Sequence, residues 1–533
     1  MEPFRIVRDA VHGDIELTEL ECRVIDTPQF QRLRKVRQLG SSYLVFPSAV
    51  HTRFEHSLGT VAVAQSIIDN LNRKGNGRSV KRGSDTSLVG SQEETVVRLA
   101  CLLHDVEHVP FGHTLEDDAN LFERHDRQAR VEHALGPDSM VGQILDTHKP
   151  NYRKDVLELL LHISNRTHPA GGLGLVRPWM VDLVGNTICA DLLDYVRRDL
   201  YFCGIRDNYD DRILRAFELD AETDRLVIRL VKHGRYKRDI QSELLSILGL
   251  RYSLSEKVLY HHTKLAFDAM ISKAVQAEGF GLEVLRQIDD LELIRRLAGG
   301  ANRVARKIGA LIETRGKYRP VFELNYDSTA TVFPAGQAKS KLEELVDKYS
   351  QDPNASANRL RDEEMLENAS GLEEGDVILN CLRRATNLKE AEVMVLWGGK
   401  ATKLKDVAQD PPRGEVQALN TKYVALWRFD AFIHPDKYEL FAVELERNVG
   451  KLVGTANVLR IANPEEWSRL DAYQEVFADF AKDKDLRLNE VDKFRRFALA
   501  EEVKARGSGR STGEVFKAHL GAAFEAWVGG GRK

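Results

Sequence analysis

The sequence has few cysteines and none of the spacings that mark a disulfide framework or a thiolate metal site. Only five cysteines occur in 533 residues, no two of them form a CxxC pair, and most stand within apolar segments. Such a pattern favours reduced, structural thiols of the kind found in the cytosol. We therefore expect a cytoplasmic protein.

Long apolar runs are also missing, since no stretch approaches the roughly 20 residues that a membrane-spanning helix needs. The opening residues MEPFRIVRDAVHGD are charged from the start and do not resemble a targeting signal. The net charge is only -4, from 77 basic and 81 acidic residues, so no overall basic field indicates nucleic-acid binding. We expect a soluble protein without a membrane partner, and local basic pockets leave nucleic-acid binding open.

The chain is long enough, and apolar enough at 43% hydrophobic residues, to form more than one core. Helical patterns dominate the first part, so we assign residues 1–375 to a helical domain with an insertion loop at about 73–93. The segments VMVLWG and YVALWRFDAFIH are typical of strands and predict an α+β lobe over residues 376–470. Residues 471–533 are expected to form a helical, partly flexible tail. The predicted fold class is thus mostly α, with a helical core and a smaller C-terminal α+β lobe.

Two helices can be placed from their ends and periodicity. The segment IDTPQFQRLRKVRQLGSS predicts a helix with Thr27 as its N-cap and Gly40 at its end. The segment NTICADLLDYVRRDLYFCGI predicts another helix, on which spacings of four and eight put Asp191, Tyr195 and Asp199 on one face. That face could line a pocket.

Histidines are concentrated in one part of the chain. Seven of the 16 fall between residues 51 and 133, where an even distribution would give about two or three. In EETVVRLACLLHD a buried helix is predicted to end near Pro110, which leaves His104 and Asp105 at its terminus. A divalent ion needs several such donors from different elements, and His56 and Asp191 are candidates for the others.

Three short motifs, RFEHS, HDVEHVPFGH and DLLDYVRRD, occur in an order and at separations that resemble the HD-domain metal phosphohydrolases. Within that family, RIVRDAVHGDIELTELECRVIDTPQFQRLRKVRQLG looks like the deoxynucleoside triphosphate (dNTP) triphosphohydrolase branch. The resemblance runs from about Arg5 to Lys264 and more weakly to about residue 450. Vertebrate members of this branch carry a SAM domain, which we do not expect here. The resemblance implies an HD-domain helical core and the hydrolysis of dNTPs to deoxynucleoside and inorganic triphosphate, for dNTP pool control or phage defence.

The resemblance also implies roles for individual residues around a divalent ion, which could be Mg, Mn, Fe or Zn. The metal ligands fall on His56, His104, Asp105 and Asp191. The candidates for the acid that protonates the leaving oxygen are His108 and His113, and His113 fits better. A supporting histidine and acid fall on His133 and Glu116. His125 is interpreted either as a surface residue or as a residue that supports the site.

The substrate and a second nucleotide are implied in the same way. Residues that match contacts to the dNTP substrate are Gln38, Leu39, Arg53, Tyr195, Asp199, Arg251 and Tyr260. In the vertebrate branch a guanine nucleotide binds away from the active site and joins subunits, and its contacts fall here on Arg5, Asp26, Gln31 and Arg34. An ordinary solvated pair beside a helix start is the alternative interpretation of these four residues. The resemblance thus predicts a homo-oligomer, either a dimer or a tetramer, with a nucleotide activator.

The sequence departs from the family where phosphates are bound. Leu192 stands in place of a lysine, Ser255 in place of a histidine, and Glu107 and Val109 in place of two glycines. Lys264, Lys257 or a neighbouring subunit could compensate. Two alternatives therefore stay open: a nucleotide phosphomonoesterase or phosphodiesterase that uses the same metal, and a non-catalytic nucleotide-sensing scaffold.

Overall fold

The structure is a computed structural model that describes residues 3–75, 88–148, 150–169, 174–232, 235–326, 338–383, 393–397, 400–407, 412–484, 486, 490–491, 493–495, 497–498 and 513–529. The α-helices in these residues are α1 (Glu19–Ile25), α2 (Pro28–Gln31), α3 (Arg53–Gly75), α4 (Ser91–Leu103), α5 (Gln128–Leu135), α6 (Met140–His148), α7 (Pro150–Asn165), α8 (Pro178–Gly185), α9 (Ala190–Phe202), α10 (Arg238–Leu254), α11 (His262–Glu278), α12 (Leu282–Leu285), α13 (Asp290–Ala298), α14 (Arg303–Glu313), α15 (Ala338–Val346), α16 (Ala355–Ala369), α17 (Pro412–Ala425), α18 (Tyr438–Val453), α19 (Val458–Ala462), α20 (Pro464–Asp483) and α21 (Gly513–Gly529). The strands are β1 (Arg5–Asp9), β2 (Gly13–Leu17), β3 (Phe217–Leu219), β4 (Leu226–Arg229), β5 (Val231–Lys232), β6 (Arg235–Tyr236), β7 (Arg319–Asn325), β8 (Val377–Cys381), β9 (Met394–Trp397), β10 (Lys400–Lys403) and β11 (Arg428–Ile433).

The largest core is helical and forms around α3. This helix packs against α4 and α9, and α7 and α8 pack against α4 in turn. Its apolar residues recur at helical spacing, so they form a stripe that is almost wholly buried: Leu58, Val61, Ala64, Ile67, Ile68 and Leu71. The predicted fold class, mostly α with a smaller α+β lobe, is confirmed.

The helix predicted over residues 27–40 is shorter than expected. Thr27 is its N-cap, as predicted, and its side chain accepts from the backbone N–H of Phe30. However, α2 ends at Gln31 and a 3₁₀ turn continues it only to Lys35. Val36 is then extended, and Arg37 forms an isolated β-bridge with Thr52. The end expected at Gly40 is therefore wrong, because pairing with the segment before α3 overrides the local helical pattern.

The two helices that were predicted to carry the histidine and aspartate motifs are present. Helix α4 ends at Leu103, with His104 as its C-terminal cap and Asp105 directly after it. Helix α9 contains Asp191 in its first turn. Because α3 packs against both helices, the start of α3, the end of α4 and the start of α9 meet at one place.

Strands of the C-terminal part join two different sheets. Strands β7, β11 and β8 form an antiparallel sheet in which β11 is central. Strand β9 instead pairs in parallel with β4, which belongs to the first half of the chain. The residues 423–425 of the expected strand YVALWRFDAFIH are the end of helix α17, and the strand begins at Arg428. Aromatic and β-branched residues fit a buried helix end as well as a strand, which explains this error.

The domain boundaries at residues 375 and 470 stay predictions. Part of the insertion loop, residues 76–87, and much of the tail between residues 485 and 512 lie outside the described residues. In the part of the chain that the structure describes, no helix is long and apolar enough to cross a membrane.

Candidate metal centre and active site

Four side chains converge at the place where the start of α3, the segment that ends α4 and the start of α9 meet. Nε2 of His56 lies 3.2 Å from Nε2 of His104 and 3.1 Å from Oδ1 of Asp191. Nε2 of His104 lies 3.5 Å from Oδ1 of Asp105 and 3.7 Å from Oδ1 of Asp191. These four residues, which were the predicted metal ligands, are called the candidate metal centre below.

Hydrogen bonds fix which ring nitrogen of each histidine faces the centre. Nδ1 of His56 lies 2.7 Å from Oδ2 of Asp194, and Nδ1 of His104 lies 2.8 Å from the carbonyl oxygen of Cys101. Because both oxygens are acceptors, both Nδ1 atoms carry the proton, and the two Nε2 atoms present lone pairs. Two lone pairs 3.2 Å apart repel unless a cation lies between them. Two nitrogens bound to one ion at about 2.0–2.1 Å would be about 3.0–3.4 Å apart, so the residues fit a metal.

The electrostatics of the candidate metal centre also favour a cation. Burial lowers the pKa of His56, but hydrogen bonds to Asp191 and Asp194 outweigh it and raise that pKa to about 10. Burial alone would raise the pKa of Asp191, but the hydrogen bonds and charges of His104 and His56 hold that pKa below its ordinary value. The centre therefore binds either protons or a metal ion, and the ligand set of imidazoles and carboxylates suits a first-row metal.

A second group of donors shares Asp105. Oδ1 of Asp105 lies 3.4 Å from Nε2 of His108 and 3.5 Å from Nε2 of His125. The rings of His108 and His125 stack with their centroids 3.4 Å apart. Glu116 holds His125, since its Oε2 accepts from both the backbone N–H and Nδ1. Gly112 is required here, because a Cβ atom would lie 2.5 Å from Nδ1 of His108.

The remaining histidine candidates lie farther out. His113 is half-exposed and its Nδ1 is 2.9 Å from Oδ2 of Asp117, while its ring centroid is 4.9 Å from that of His108. His133 is also half-exposed, and its Nδ1 contacts Glu107. The structure therefore brings His125 next to Asp105 and leaves His133, the histidine expected to support the site, half-exposed beside Glu107. Sequence distance alone does not tell which of two nearby histidines turns inward, and for this reason the sequence left two interpretations of His125 open.

Three substrate candidates lie beside the candidate metal centre. The guanidinium of Arg53 lies 2.5 Å from Oδ2 of Asp105 and also donates to the carbonyl oxygen of Gln38 at 3.4 Å. Oε1 of Gln38 is buried and has no hydrogen-bond partner among the described residues. Leu39 is buried next to it. Gln38 therefore contacts Arg53 through its backbone carbonyl and keeps an unsatisfied side-chain acceptor.

The other substrate candidates occupy different surroundings. Burial raises the pKa of Tyr195 well above its ordinary value, and the charge of Arg251 is near enough to oppose that rise. Asp199 is buried and its Oδ1 lies 2.7 Å from Nε2 of His51, so its carboxylate is already paired. Tyr260 lies at the end of a π turn, Ser255–Leu259. It packs against a second hydrophobic core, to which the sheet β7–β11–β8 and helices α18 and α20 contribute.

The positions that depart from the family are accommodated in the structure. Leu192 is buried in the first core. Nζ of Lys264 lies 2.5 Å from Oδ2 of Asp268, and Lys257 is exposed. Glu107 accepts from Nδ1 of His133 and from Nε of Arg286, both at 3.0 Å. Glu107 thus ties the loop that follows Asp105 to α5 and to the residue after α12.

Sequence reasoning missed the residues behind His56. Asp194, whose Oδ2 faces His56, receives Nε2 of His12 at 2.6 Å and the guanidinium of Arg198 at 2.9 Å. Gly59 of α3 makes room for this group, since a Cβ atom would collide with Asp194 and Arg198. The signal was available, because Asp194 stands three residues after Asp191 and shares its helix face.

The four residues predicted to bind a second nucleotide form one exposed group. The guanidinium of Arg5 contacts both carboxylate oxygens of Asp26 at 3.0 Å. Nε of Arg34 donates to Oε1 of Gln31 at 2.9 Å, and the charge of Arg34 also acts on Asp26. Arg5 lies on β1, Asp26 directly after α1, Gln31 at the end of α2 and Arg34 in the 3₁₀ turn that follows α2.

Comparison with known proteins points to the same part of the chain as the geometry of the candidate metal centre. The family model for the HD domain matches residues 53–196, which include all four residues of the candidate metal centre. Deoxynucleoside triphosphate triphosphohydrolase SAMHD1 of Mus musculus is 27% identical over 330 residues, which cover 55% of this chain and 48% of that protein. Residues 53–196 therefore form an HD domain. An uncharacterized protein of Methanocaldococcus jannaschii is 30% identical over 329 residues, 61% of this chain and 60% of that protein.

The matched region of this HD-domain chain thus spans between about half and three fifths of the length of these relatives. A crystal structure of a hypothetical protein from Aquifex aeolicus has the same fold, with a TM-score of 0.56 and 20% identity over 84% of this chain and 99% of that one.

Proposed function

We propose that this HD-domain protein is a metal-dependent phosphohydrolase that cleaves dNTPs to deoxynucleoside and inorganic triphosphate. The observation that carries the proposal is the pair of Nε2 atoms of His56 and His104, which lie 3.2 Å apart with their lone pairs facing each other. Asp105 and Asp191 flank this pair. Hydrogen bonds to Asp194 and to the carbonyl oxygen of Cys101 fix the orientation of the two rings. A divalent ion bound there would activate water and polarise phosphate oxygens. The relatives named above support a dNTP as the substrate.

The chain's own residues supply the other parts of the reaction. Arg53 can turn its guanidinium from Asp105 to a phosphate, for which its planar fork is suited. His113 is the candidate acid for the departing 5′ oxygen. Asp117 accepts from Nδ1 of His113, which leaves Nε2 as the ring nitrogen that would transfer a proton. Gln38, Leu39 and Tyr195 would contact the deoxyribose and exclude a 2′ hydroxyl.

One observation favours a second candidate function. Asp105 belongs to two donor groups, one with His56 and His104 and the other with His108 and His125. Two ions that share a carboxylate are typical of enzymes that cleave phosphodiesters or phosphomonoesters. A nucleotide phosphomonoesterase or phosphodiesterase is therefore the alternative, as the missing lysine at Leu192 would allow.

Product analysis tests the proposal. The protein is stripped of metal, supplied with Mg, Mn, Fe or Zn separately, and incubated with each dNTP and with the matching ribonucleotide. We expect intact triphosphate by ³¹P NMR, with deoxynucleotides cleaved about 10 to 200 times faster than ribonucleotides. Asp105→Ala should bind little metal and release nothing while keeping its fold. Release of phosphate or pyrophosphate instead of triphosphate would replace the proposal with the alternative.

A further inference from the structure

Two short segments carry the candidates for sugar recognition and for proton donation. The first, residues 37–41, contains Gln38 and Leu39 and is called the wall segment. The second, residues 111–114, contains His113 and is called the histidine loop. They are far apart in the sequence and belong to no common helix or sheet. Their spacing must therefore be set by contacts from elsewhere in the fold.

Asp290 joins one end of the wall segment to one end of the histidine loop. It stands at the start of α13 and its side chain is almost fully buried. Oδ2 accepts from the backbone N–H of Arg37 at 2.8 Å, and Oδ1 accepts from that of Phe111 at 3.3 Å. Phe111 has φ +52°, a left-handed conformation that is strained for a bulky residue and needs such support.

Asp268 joins the other ends of the same two segments. It lies on α11 and is also buried. Oδ1 accepts from Oγ of Ser41 at 2.5 Å and from Oγ1 of Thr114 at 2.9 Å. Lys264 neutralises Oδ2. Each segment is thus held at both of its ends by a buried carboxylate that also holds the other segment.

The contacts of Asp290 exist at a cost in stability. Burial raises the pKa of Asp290 to about 6, although the N–H donors and Arg37 oppose that rise. An apolar residue would pack α13 against these segments without that desolvation. An apolar residue could not, however, fix two separate backbone segments at a set distance. The carboxylates therefore have a purpose beyond packing.

We propose that Asp290 and Asp268 form a two-carboxylate clamp that fixes the distance between the sugar-contacting wall segment and His113. Both are positioning residues: they act through Gln38, Leu39 and His113 and do not touch the substrate. This inference rests on the proposed function and deepens it, since the clamp would set both turnover and discrimination against the 2′ hydroxyl. A displacement of about 1 Å between reacting groups can cost 10²-fold in rate.

The test uses near-isosteric variants of the full chain. Asp290→Asn replaces one of the two acceptor oxygens by an amide NH₂, so one of the two hydrogen bonds, to the N–H of Arg37 or to that of Phe111, is lost. Thr114→Val removes one hydroxyl from the Asp268 bridge and keeps the side-chain shape. The matched control is Asp182→Asn. Asp182 is as deeply buried and accepts from the backbone N–H of Leu226 and from Arg225, but it contacts neither segment.

Kinetics on dNTPs and NTPs give the first measurement. Both clamp variants should lower kcat on dNTPs about 10- to 100-fold with a smaller change in KM, and should lower the ratio of dNTP to NTP kcat/KM. Asp182→Asn should lose thermal stability but keep kcat and the ratio. If the clamp variants also keep the wild-type ratio and kcat, Asp290 and Asp268 are only structural and the inference is wrong.

Amide hydrogen exchange gives a second measurement that does not need activity. In Asp290→Asn, exchange should increase in the wall segment and in the histidine loop together, and Asp182→Asn should change neither. An increase in only one of the two segments would overturn the clamp. A wild-type protein that cleaves no dNTP would overturn the proposed function, and the exchange experiment would still decide whether the two segments are coupled.

Discussion

Asp105 is the residue on which most of the site depends. Its Oδ2 contacts Arg53, and its Oδ1 faces His104, His108 and His125 at 3.4 to 3.5 Å. The charges of His104 and Arg53 hold the pKa of its carboxyl well below the ordinary value in spite of burial. A permanently ionised carboxylate in this position links the candidate metal centre to the stacked rings of His108 and His125. A substitution in either group therefore alters the electrostatic surroundings of the other.

His125 and His133 allow a direct test of which histidine serves the chemistry. His125 is buried, faces Asp105 and is held by Glu116, whereas His133 is half-exposed and pairs with Glu107. We expect His125→Ala to lower turnover by about 10² to 10⁴. His133→Ala should stay within about twofold, as a surface substitution usually does. Turnover and bound metal would be measured for both variants, and a larger loss for His133→Ala would restore the assignment made from the sequence.

At this scale the candidate ligands are easier to recognise from the sequence than the residues that position them. His56, His104, Asp105 and Asp191 belong to short motifs in which the residue type itself limits the chemistry. The spacing from Asp191 places Asp194 on the same helix face, but its contacts with His56 and His12 depend on how distant segments pack, which no local pattern encodes. The same holds for Phe111, whose positive φ arises from the contact of its N–H with Asp290.

Among the elements, strand β8 shows how a sheet edge is closed by a helix. Glu363 and Glu367 stand four residues apart on α16. Their carboxylates accept from the backbone N–H groups of Leu379 and Val377, at 2.8 and 3.0 Å. These side chains take the place of a neighbouring strand and protect the edge from pairing with another chain.

Glu367 makes the stability of this edge depend on pH. Burial, together with the charges of Glu363 and Asp376, raises the pKa of Glu367 to about 7. Because the folded pKa is above the unfolded one, this carboxyl stabilises the fold below about pH 4.5, and the contribution is lost as the pH rises through about 7. Glu367→Gln keeps an acceptor for the Val377 N–H. At pH 8 this variant should have a higher melting temperature, and its free energy of unfolding should increase by up to about 3 kcal/mol. At pH 5 the melting temperature should change little.

A neighbouring substitution serves as the control for that pH dependence. Glu363→Gln removes the charged partner of the buried Lys273 and should lower the melting temperature at both pH values. Thermal unfolding of the three proteins at pH 5 and pH 8 gives the comparison. Equal shifts for Glu367→Gln at the two pH values would mean that Glu367 does not titrate in this range.

Across the whole molecule, each hydrophobic core is built from segments that are not consecutive in the chain. Residues 265–382 contribute to the second core and to a third core around α11, α13 and α14. The chain nevertheless returns afterwards to the first core with Val393, Val395, Leu404 and Val407. The parallel pairing of Ile228 with Val395 connects these distant parts. Composition predicted the strands of this region, but the partner of a strand is set by long-range packing, which the local sequence does not contain.

The exposed group at Arg5, Asp26, Gln31 and Arg34 leads to a prediction about assembly. If these residues bind a guanine nucleotide across a subunit boundary, binding stabilises the oligomer by mass action, and activity should rise with nucleotide and protein concentration together. Asp26 can exchange Arg5 for a guanine edge at little cost, because exposed ion pairs are weak. Asp26→Ala should then abolish the activation.

The hairpin formed by β1 and β2 offers a matched control for that variant. Arg8 and Asp14 form an equally simple ion pair at 2.9 Å that is more exposed, and Asp14→Ala should leave activation unchanged. The rate with each dNTP singly and in pairs, and the mass by light scattering, would be measured for the wild type and both variants. Pairs that are hydrolysed no faster than the sum of their members, with no change in mass, would mean that the enzyme is constitutive. Arg5, Asp26, Gln31 and Arg34 would then be no more than an ordinary surface group.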